Sequence, residues 1–274
     1  ISLEPYAFTP NPWTHTLLEG LLQLNLNGLK VWELGCGAGP ITATLLKRFN
    51  LAELIFSDEE ARCTSLTVQN IHRLMDLKGA QFNALEGSWR LLEKVTPRGE
   101  IDPQEREWLP VDVITGCLPQ VVRPKSVNGN DGWRNDYYDK AHYPGALYHH
   151  LGLGLIETLL GQATRNGVLT GHGMTLLNLA GRPGRDRLVE LHRRKGFTPE
   201  FVFENVIPQD EDTSIDALCE MEREGARDFE FFEDPDGSTQ ISATHADFVR
   251  GRLDPETGRR ERQVFHKIYV VKGT

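Results

Sequence analysis

A glycine-rich turn follows the first apolar segment that has the composition of a strand. Residues 29–34 contain Glu33, and the sequence GCGAG follows at 35–39, so an acid precedes a GxGxG pattern. Glycine permits positive φ and lets a ligand approach the backbone closely. A dinucleotide-binding fingerprint needs a third glycine where Pro40 stands, and a P-loop needs Gly-Lys-Ser/Thr. The turn therefore lacks the features of both nucleotide motifs.

An acidic residue ends the second predicted strand. Asp58 follows the apolar residues 52–56. In α/β folds that bind nucleosides, an acid at this place accepts hydrogen bonds from both ribose hydroxyls. The alternative is an aspartate that caps the next helix, since Ser57-Asp58-Glu59-Glu60 is also a good helix start.

The rest of the chain alternates between predicted strands and helices. Apolar and β-branched runs predict strands at 29–34, 52–56, 80–84, 111–116, 174–180, 201–206 and 264–271. Helical spacing of apolar residues predicts helices at 13–26, 41–49, 59–77, 151–164 and 185–195. This order predicts an α/β fold with a doubly wound, mostly parallel, seven-stranded sheet, preceded by a helical lead-in over 1–28.

Two segments interrupt the alternation. Residues 122–150 are rich in aromatic residues, aspartate and glycine, and residues 207–262 are charged and less regular. Ligands bind outside the carboxyl ends of parallel strands, so insertions after strands four and six would overhang that crevice. We expect one domain over 1–274 with both insertions on the site face.

Composition excludes several classes of partner. The formal net charge is −9 and the sequence pI about 5.5, so nucleic acid is not an expected partner. No apolar run approaches the ~20 residues that span a bilayer, and residues 1–10 lack a basic stretch followed by an apolar one. The four cysteines form no CxxC pair, and the histidines at 142, 149 and 150 have no carboxylate at metal-triad spacing. We expect a cytoplasmic protein without a metal or a membrane partner, and a homo-oligomer is possible.

An acid followed by GxGxG in a strand, turn and helix resembles motif I of the class I S-adenosylmethionine-dependent methyltransferases. The resemblance implies a Rossmann-like fold, S-adenosyl-L-methionine as cofactor and S-adenosyl-L-homocysteine as product. It implies that the loop lies under the cofactor's sugar and methionyl part, and that the segment after strand three contacts adenine, although Ser88 stands where many relatives have Asp. The candidate cofactor-binding residues are Trp13, Thr14, Glu33, Gly35, Cys36, Gly37, Gly39, Asp58, Ser88, Trp89, Cys117 and Leu118.

The loop after strand four argues against an amine acceptor. Residues 117–120 read CLPQ, where amine-methylating relatives carry Asn-Pro-Pro-Tyr. Cys117 and Leu118 offer no strong side-chain acceptor for an amine hydrogen. We therefore predict that the methylated atom is not nitrogen.

Several longer stretches resemble the methyltransferase part of the methionine S-methyltransferases. The more specific ones are GCLPQ at 116–120 and NLAGRPG at 178–184, and the resemblance runs from Trp13 to about Arg252. It implies that free L-methionine, a small-molecule substrate, is converted to S-methyl-L-methionine. A thioether has a free lone pair and no proton, so an in-line transfer needs orientation and no general base.

Aromatic and charged residues supply the candidate substrate contacts. Aromatic rings suit sulfonium groups, and an arginine with an acid suits an amino acid. The candidate catalytic residues are Tyr138, Tyr143 and Tyr148, and the candidate substrate-binding residues are Pro119, Gln120, Trp133, Tyr137, Arg182 and Asp212. The aromatic residues could instead pack on one another, and Arg182 and Asp212 could form ion pairs that fix loops. The alternative functions are N-methylation of a protein or small amine, and cofactor binding without turnover.

Overall fold

The structure is a computed structural model that describes residues 2–74, 81–95, 101–103, 109–124, 137–165, 167–210, 213–225, 228–251 and 262–274. Its strands are β1 (Lys30–Leu34), β2 (Glu53–Asp58), β3 (Phe82–Glu86), β4 (Glu93–Val95), β5 (Ile101–Pro103), β6 (Val111–Gly116), β7 (Val121–Val122), β8 (Tyr137–Tyr138), β9 (Leu169–Ala180), β10 (Pro199–Pro208), β11 (Phe231–Phe232), β12 (Gln240–Ile241) and β13 (Phe265–Gly273). Its helices are α1 (Pro12–Leu21), α2 (Pro40–Arg48), α3 (Ala61–Leu74), α4 (Gly154–Ala163), α5 (Arg185–Arg194), α6 (Ile215–Gly225) and α7 (Ala243–Arg250).

The central sheet has the order β12-β11-β13-β9-β6-β1-β2-β3, and β10 also pairs with β13. The strands β3, β2, β1, β6 and β9 run parallel, whereas β13 is antiparallel to both β9 and β10. The predicted α/β fold with a doubly wound, mostly parallel sheet is confirmed.

The sheet has nine strands in the described part of the chain, where seven were predicted. The seven predicted strands are present, and β11 and β12 extend the edge beside β13. Both extra strands have two residues and come from the segment 207–262. A strand this short has no alternation of polar and apolar residues that sequence inspection could detect.

Both faces of the sheet are buried, which explains why its strands are almost continuously apolar. In β1, Val31 packs in a cluster with the leucines of α1 and α2, while Trp32 packs in a second cluster with α4 and α5. Successive residues of a strand point to opposite faces, so β1 contributes to both clusters.

The helical lead-in is shorter than predicted. Asn11 caps α1 by accepting a hydrogen bond from Trp13 N at 2.9 Å, and Pro12 occupies the first turn. The helix ends at Leu21, because the asparagine-rich residues before Gly28 form a turn in which Asn25 Oδ1 accepts from Asn27 N. The short helix nevertheless holds the N-terminal residues against β9, β10 and β13.

The segments outside the regular alternation contain local structure. Strands β7 and β8 pair in parallel, and 3-10 turns follow at Lys140–His142 and His149–Leu151. Helices α6 and α7 were not predicted, and they pack on each other. Helix α4 begins at Gly154 and not at the predicted residue 151, because Gly152 adopts φ +74 and separates the second 3-10 turn from the helix.

Leu17 tests how strongly α1 is held to the sheet. This side chain is fully buried, whereas Leu22 at the end of the same helix is 40% exposed. Leu17→Ala is expected to lower the free energy of unfolding by about 2–5 kcal/mol, since it removes buried methyl groups and leaves a cavity. Leu22→Ala should change it by less than about 1 kcal/mol. Urea unfolding of both variants measures the difference, and equal losses would show that α1 is not anchored through Leu17.

Candidate active site

A cavity of about 440 Å³ lies where the parallel strands of the sheet end. Its wall combines the glycine loop after β1, the ends of β2 and β6, and parts of the two inserted segments. The predicted site residues that line it are Trp13, Thr14, Gly35, Cys36, Gly37, Asp58, Ser88, Trp89, Cys117, Leu118, Pro119, Gln120, Tyr137, Tyr138, Tyr143 and Arg182. The volume is in the range of small-molecule sites.

The glycine loop is attached to β2 through its backbone. Gly35 N and Cys36 N both donate to Ser57 O, at 2.8 and 3.1 Å. Gly35 has φ +74, and a Cβ atom there would lie 3.1 Å from the Leu118 side chain. Gly35 therefore meets both a conformational and a steric requirement for glycine.

Gly39 has a different role from the other loop glycines. It caps α2 with φ +84, and a Cβ there would lie 2.8 Å from the side chain of Thr67 on α3. Gly39 does not line the cavity. Its requirement for glycine comes from the close approach of α2 and α3.

Asp58 connects the glycine loop to the start of the next helical segment. Its Oδ2 accepts from Gly37 N at 2.9 Å, and its Oδ1 accepts from Glu60 N at 3.0 Å. Burial raises the pKa of Asp58, and these two backbone donors oppose the rise. Each carboxylate oxygen keeps a second lone pair for a ligand hydroxyl.

Glu33 lies beneath the loop and not on the cavity wall. Its side chain is fully buried, and Oε2 accepts from Thr42 Oγ1 at 2.6 Å. Within the described residues, Oε1 has no hydrogen-bond partner. Burial raises the pKa of Glu33 to about 8, and the charge of Asp58 contributes to the rise. At neutral pH this group is therefore largely a neutral acid.

Three tyrosines of the inserted segment reach the cavity, and protein atoms engage their hydroxyls. Tyr137 accepts from Ser214 N at 2.7 Å, Tyr138 accepts from Gly154 N at 3.0 Å, and Tyr143 donates to Trp89 O at 2.8 Å. Burial raises the pKa of both Tyr138 and Tyr143. The tyrosines thus offer ring surface to a ligand and no readily ionised oxygen.

Trp89 belongs to an aromatic cluster at the same wall. The His142 ring stacks on it with a centroid separation of 4.5 Å, and the Tyr143 ring meets it edge-on at 6.5 Å. The Arg90 guanidinium lies 4.2 Å from the Trp89 ring centroid. The interpretation that these aromatics pack on one another and the interpretation that they line a site are thus both compatible with the geometry.

A buried arginine lies in the cavity wall beyond the end of β9. Arg182 Nη1 donates to Gln209 Oε1 at 2.9 Å, and its guanidinium carbon is 5.7 Å from the Trp13 ring centroid. Asp210 lines the cavity near this end, and its Oδ2 accepts from Asn11 Nδ2 at 3.4 Å. The cavity therefore has one buried cationic group and an acidic group from the segment after β10.

Sequence inspection missed Asn11 and Asp210. The pattern Asn-Pro before a helix identifies Asn11 as a cap, but it carries no information about a cavity. Asp210 is two residues before the predicted Asp212, which lies outside the described residues together with Trp133.

Tyr148 and Gln120 are placed differently from their predicted roles. Tyr148 lines a separate surface pocket, where its hydroxyl donates to Glu190 Oε1 at 3.0 Å and accepts from Arg194 Nη1 at 3.2 Å. Gln120 lines the cavity, but its Nε2 donates to Asn178 O and its Oε1 accepts from Ala180 N, both at 2.8 Å. Its amide joins the end of β6 to β9, because a parallel strand that ends inside the protein leaves backbone groups without ladder partners.

In the part of the chain that the structure describes, no three or more His, Cys, Asp or Glu side chains are grouped to hold a metal ion. Among the described helices, none has both the length and the apolar character needed to cross a membrane.

Comparison with curated proteins shows similarity over most of the chain. The Zea mays methionine S-methyltransferase is 29% identical over 257 residues, and the Arabidopsis thaliana protein of the same name is 26% identical over 264. The chain resembles methionine S-methyltransferases. The alignments cover 88% of this chain but only 23% and 24% of those two proteins, so the chain spans about a quarter of their length. No protein-family model matches the chain.

Solved structures agree with the fold. A candidate methyltransferase from Bacillus halodurans C-125 superposes with a TM-score of 0.51 at 11% identity, covering 94% of this chain and 98% of that one. The YcgJ protein from Bacillus subtilis gives a TM-score of 0.50 at 13% identity, covering 94% and 97%. At such identities the likeness concerns the fold alone, and it confirms the predicted Rossmann-like architecture.

Glu33 gives a pH-dependent stability prediction. The folded chain binds the Glu33 proton more tightly than the unfolded chain, so this contribution to stability is full below about pH 4.3, the unperturbed value. It is lost as the pH rises toward the folded pKa of about 8. Glu33→Gln cannot ionise, so its free energy of unfolding relative to wild type should increase by on the order of 1 kcal/mol per pH unit between pH 5 and 8.

Urea unfolding at several pH values measures this difference. Glu220→Gln on the exposed face of α6 is the matched control and should run parallel to wild type. Parallel curves for Glu33→Gln and wild type would contradict the assignment of a neutral buried acid.

Proposed function

We propose that the chain is an S-adenosylmethionine-dependent methyltransferase that converts free L-methionine to S-methyl-L-methionine. The observation that carries this proposal is the composition of one cavity. The glycine loop, Asp58, the CLPQ loop, aromatic rings and buried Arg182 all line it. Similarity to the methionine S-methyltransferases supports the same assignment.

The residues present fit the cofactor. Asp58 has oxygen lone pairs for ribose hydroxyls, and the positive φ values of Gly35 and Gly37 leave the loop backbone accessible to a ligand. When bound, S-adenosylmethionine supplies a methyl group carried on a positively charged sulfur.

The chain's own residues have little proton chemistry to perform. The thioether sulfur forms a bond to the methyl carbon as the bond to the donor sulfur breaks, and the positive charge moves from one sulfur to the other. No proton is released, so no base is required. The CLPQ loop is consistent with this, since Cys117 Sγ is approached by Asn178 Nδ2 at 3.5 Å and no carboxylate stands in that loop.

The aromatic wall, which Tyr137, Tyr138 and Tyr143 form, and the exclusion of water make the main contributions to catalysis. A ring face toward a cation contributes about 0.5–2 kcal/mol, more when water is excluded. Tyr137, Tyr138 and Tyr143 are each about 95% buried, and their hydroxyls are held by neighbouring residues. A wall fixed in this way can orient the acceptor sulfur without moving during the reaction.

Recognition of a free amino acid is assigned to the end of the cavity at Arg182. A guanidinium can pair with a carboxylate through two parallel hydrogen bonds. Arg182 is buried, so its charge acts in a medium that screens weakly. Asp210 or Asp212, on the segment after β10, provides the acid that pairs with the substrate ammonium group.

Cofactor binding is tested with Asp58→Ala and Gly37→Val. Both should weaken binding of S-adenosylhomocysteine at least tenfold, since the first removes a ribose acceptor and the second adds a branched side chain where the φ is +53. Calorimetry gives the affinities, with circular dichroism as the check on folding. Asp216→Ala on the exposed face of α6 is the control and should bind as wild type does. Unchanged affinity in both loop variants would refute this placement of the cofactor.

Acceptor identity is tested by mass spectrometry after incubation with S-adenosylmethionine and single amino acids. L-Methionine should gain one methyl group, while methioninamide, a methionyl peptide and lysine should not. Arg182→Met should raise the KM for methionine at least tenfold, since it removes the carboxylate partner. Methylation of lysine or of a peptide at the rate of free methionine would favour the N-methyltransferase or protein-methyltransferase alternative. Cofactor binding with no methylated product would favour a non-catalytic binding protein.

A further inference from the structure

His149 connects two tyrosines of the cavity wall, although it does not itself line the cavity. Its Nε2 lies 2.9 Å from Tyr143 O, and its Nδ1 lies 3.1 Å from the Tyr138 hydroxyl. Tyr138 in turn accepts from Gly154 N at the start of α4. The His149 imidazole thus bonds to the backbone of Tyr143 and to the hydroxyl of Tyr138.

The partners determine which nitrogen carries the hydrogen. A carbonyl oxygen can only accept, so Nε2 must donate to Tyr143 O. In a neutral ring Nδ1 is then an acceptor, and the Tyr138 hydroxyl donates to it. The Tyr138 oxygen remains free to accept from Gly154 N. In these three hydrogen bonds, each donated hydrogen has one acceptor: His149 Nε2 donates to Tyr143 O, the Tyr138 hydroxyl donates to His149 Nδ1, and Gly154 N donates to the Tyr138 oxygen.

We propose that His149 is a positioning residue for methyl transfer, which holds the rings of Tyr138 and Tyr143 in the cavity wall as a neutral imidazole with its hydrogen on Nε2. The proposal rests on the proposed function, since the wall acts on the acceptor sulfur. It assigns to His149 a role through the tyrosines and no contact with substrate or cofactor.

Close packing leaves the imidazole little freedom. A Cβ atom on Gly154 would lie 2.2 Å from His149 Nδ1, so glycine is needed at the start of α4 for the ring to approach. The ring of Tyr138 lies against His149 with a centroid separation of 5.8 Å. A displaced imidazole would therefore take both wall tyrosines with it.

The charged groups on the elements that pack against the 149–151 turn have other partners. On α4, the Glu157 carboxylate accepts from Leu147 N and Tyr148 N and pairs with Lys195. On α6, Glu222 accepts from Phe229 N and Ala243 N.

The remaining groups near the turn do not change this assignment. Asp216, Glu220, Arg223 and Glu224 of α6 are exposed, and β7 contributes only two valines. On the turn itself, the His150 ring stacks on Tyr148 at 6.4 Å. Titratable side chains that line the cavity beside the rings of Tyr138 and Tyr143 include Glu59, Tyr137, Asp139 and His142, which stacks on Trp89.

Protonation of His149 would disrupt this pattern of hydrogen-bond donors and acceptors. A hydrogen on Nδ1 would point at the Tyr138 hydroxyl oxygen, which would then have to accept from both His149 Nδ1 and Gly154 N. The hydroxyl hydrogen of Tyr138 would no longer have His149 as its acceptor. The wall would loosen in the protonated state. The methyl transfer itself releases no proton, so an acid limb, a fall in kcat at low pH, that is absent from a His149 variant reports on this imidazole.

The tautomer is measured directly by nuclear magnetic resonance. Protein with ¹⁵N-labelled histidine, without ligand at pH 7.5, should show His149 as the neutral ring with hydrogen on Nε2, assigned by comparison with His149→Asn. A charged ring, or hydrogen on Nδ1, would overturn the proposal whether or not the chain has methyltransferase activity.

Kinetics with three variants tests the positioning role. His149→Leu should lower kcat for methionine at least tenfold while the Kd for S-adenosylhomocysteine stays within twofold. His149→Asn keeps an acceptor near the place of Nδ1 and has no ionisable ring, so it should recover most of the kcat and lose the acid limb. His150→Leu, one residue away, is the control and should keep both kcat and the acid limb.

The outcomes separate this proposal from the proposed function. If the wild type turns over methionine and His149→Leu retains kcat within twofold, the positioning role is wrong. If the wild type methylates no acceptor, the proposed function fails, and the resonance measurement alone decides the state of His149. If His149→Leu does not fold, His149→Asn and its pH profile decide the kinetic question.

Discussion

The site depends on the hydrogen bonds that attach the glycine loop to the end of β2. Ser57 O receives two backbone N–H groups of the loop, and Asp58 receives a third from Gly37. Without these bonds the loop would have unpaired donors at the end of a buried strand, which is costly. The same bonds hold the Asp58 carboxylate beside the loop in the cavity wall. Local stability and the proposed ligand recognition thus use the same atoms.

The aromatic part of the cavity wall is held by contacts between distant parts of the chain. Tyr137, Tyr138 and Tyr143 come from a segment with little regular structure, yet each hydroxyl has a partner on another segment. Each hydroxyl has a backbone partner, and the Tyr138 hydroxyl also pairs with the imidazole of His149. A wall of this kind can be rigid without belonging to a helix or a long strand.

Burial affects the pKa values of the two acidic groups Glu33 and Asp58. Glu33, fully enclosed beneath the loop, has its pKa raised to about 8 and is largely neutral at pH 7. Asp58 is also affected by burial, but two backbone donors favour its charged form. The two carboxyl groups therefore differ in their surroundings: one side-chain hydroxyl donates to Glu33, and two backbone N–H groups donate to Asp58. Arg182 is buried as well, with Gln209 as a neutral partner.

The sequence alone was sufficient for the features that depend on neighbouring residues. Continuous apolar runs predicted the seven main strands, since strands buried on both faces need apolar residues at every position. The glycine pattern predicted the turn after β1 that lines the cavity, because the constraints of a tight turn are local to a few residues. Helix ends near Gly28 and Gly152 were less well predicted, since they depend on turn conformation.

Only the tertiary structure decided which aromatic side chains reach the cavity. Tyr138 and Tyr148 look equivalent in the sequence, but Tyr148 is turned toward Glu190 because Glu157 holds its backbone against α4. Gln120 was predicted to bind substrate, whereas its amide joins two strands. Asp210 and Asn11 are 199 positions apart and meet only in the folded chain. Such contacts are set by how helices and strands pack, and residue spacing carries no direct signal for them.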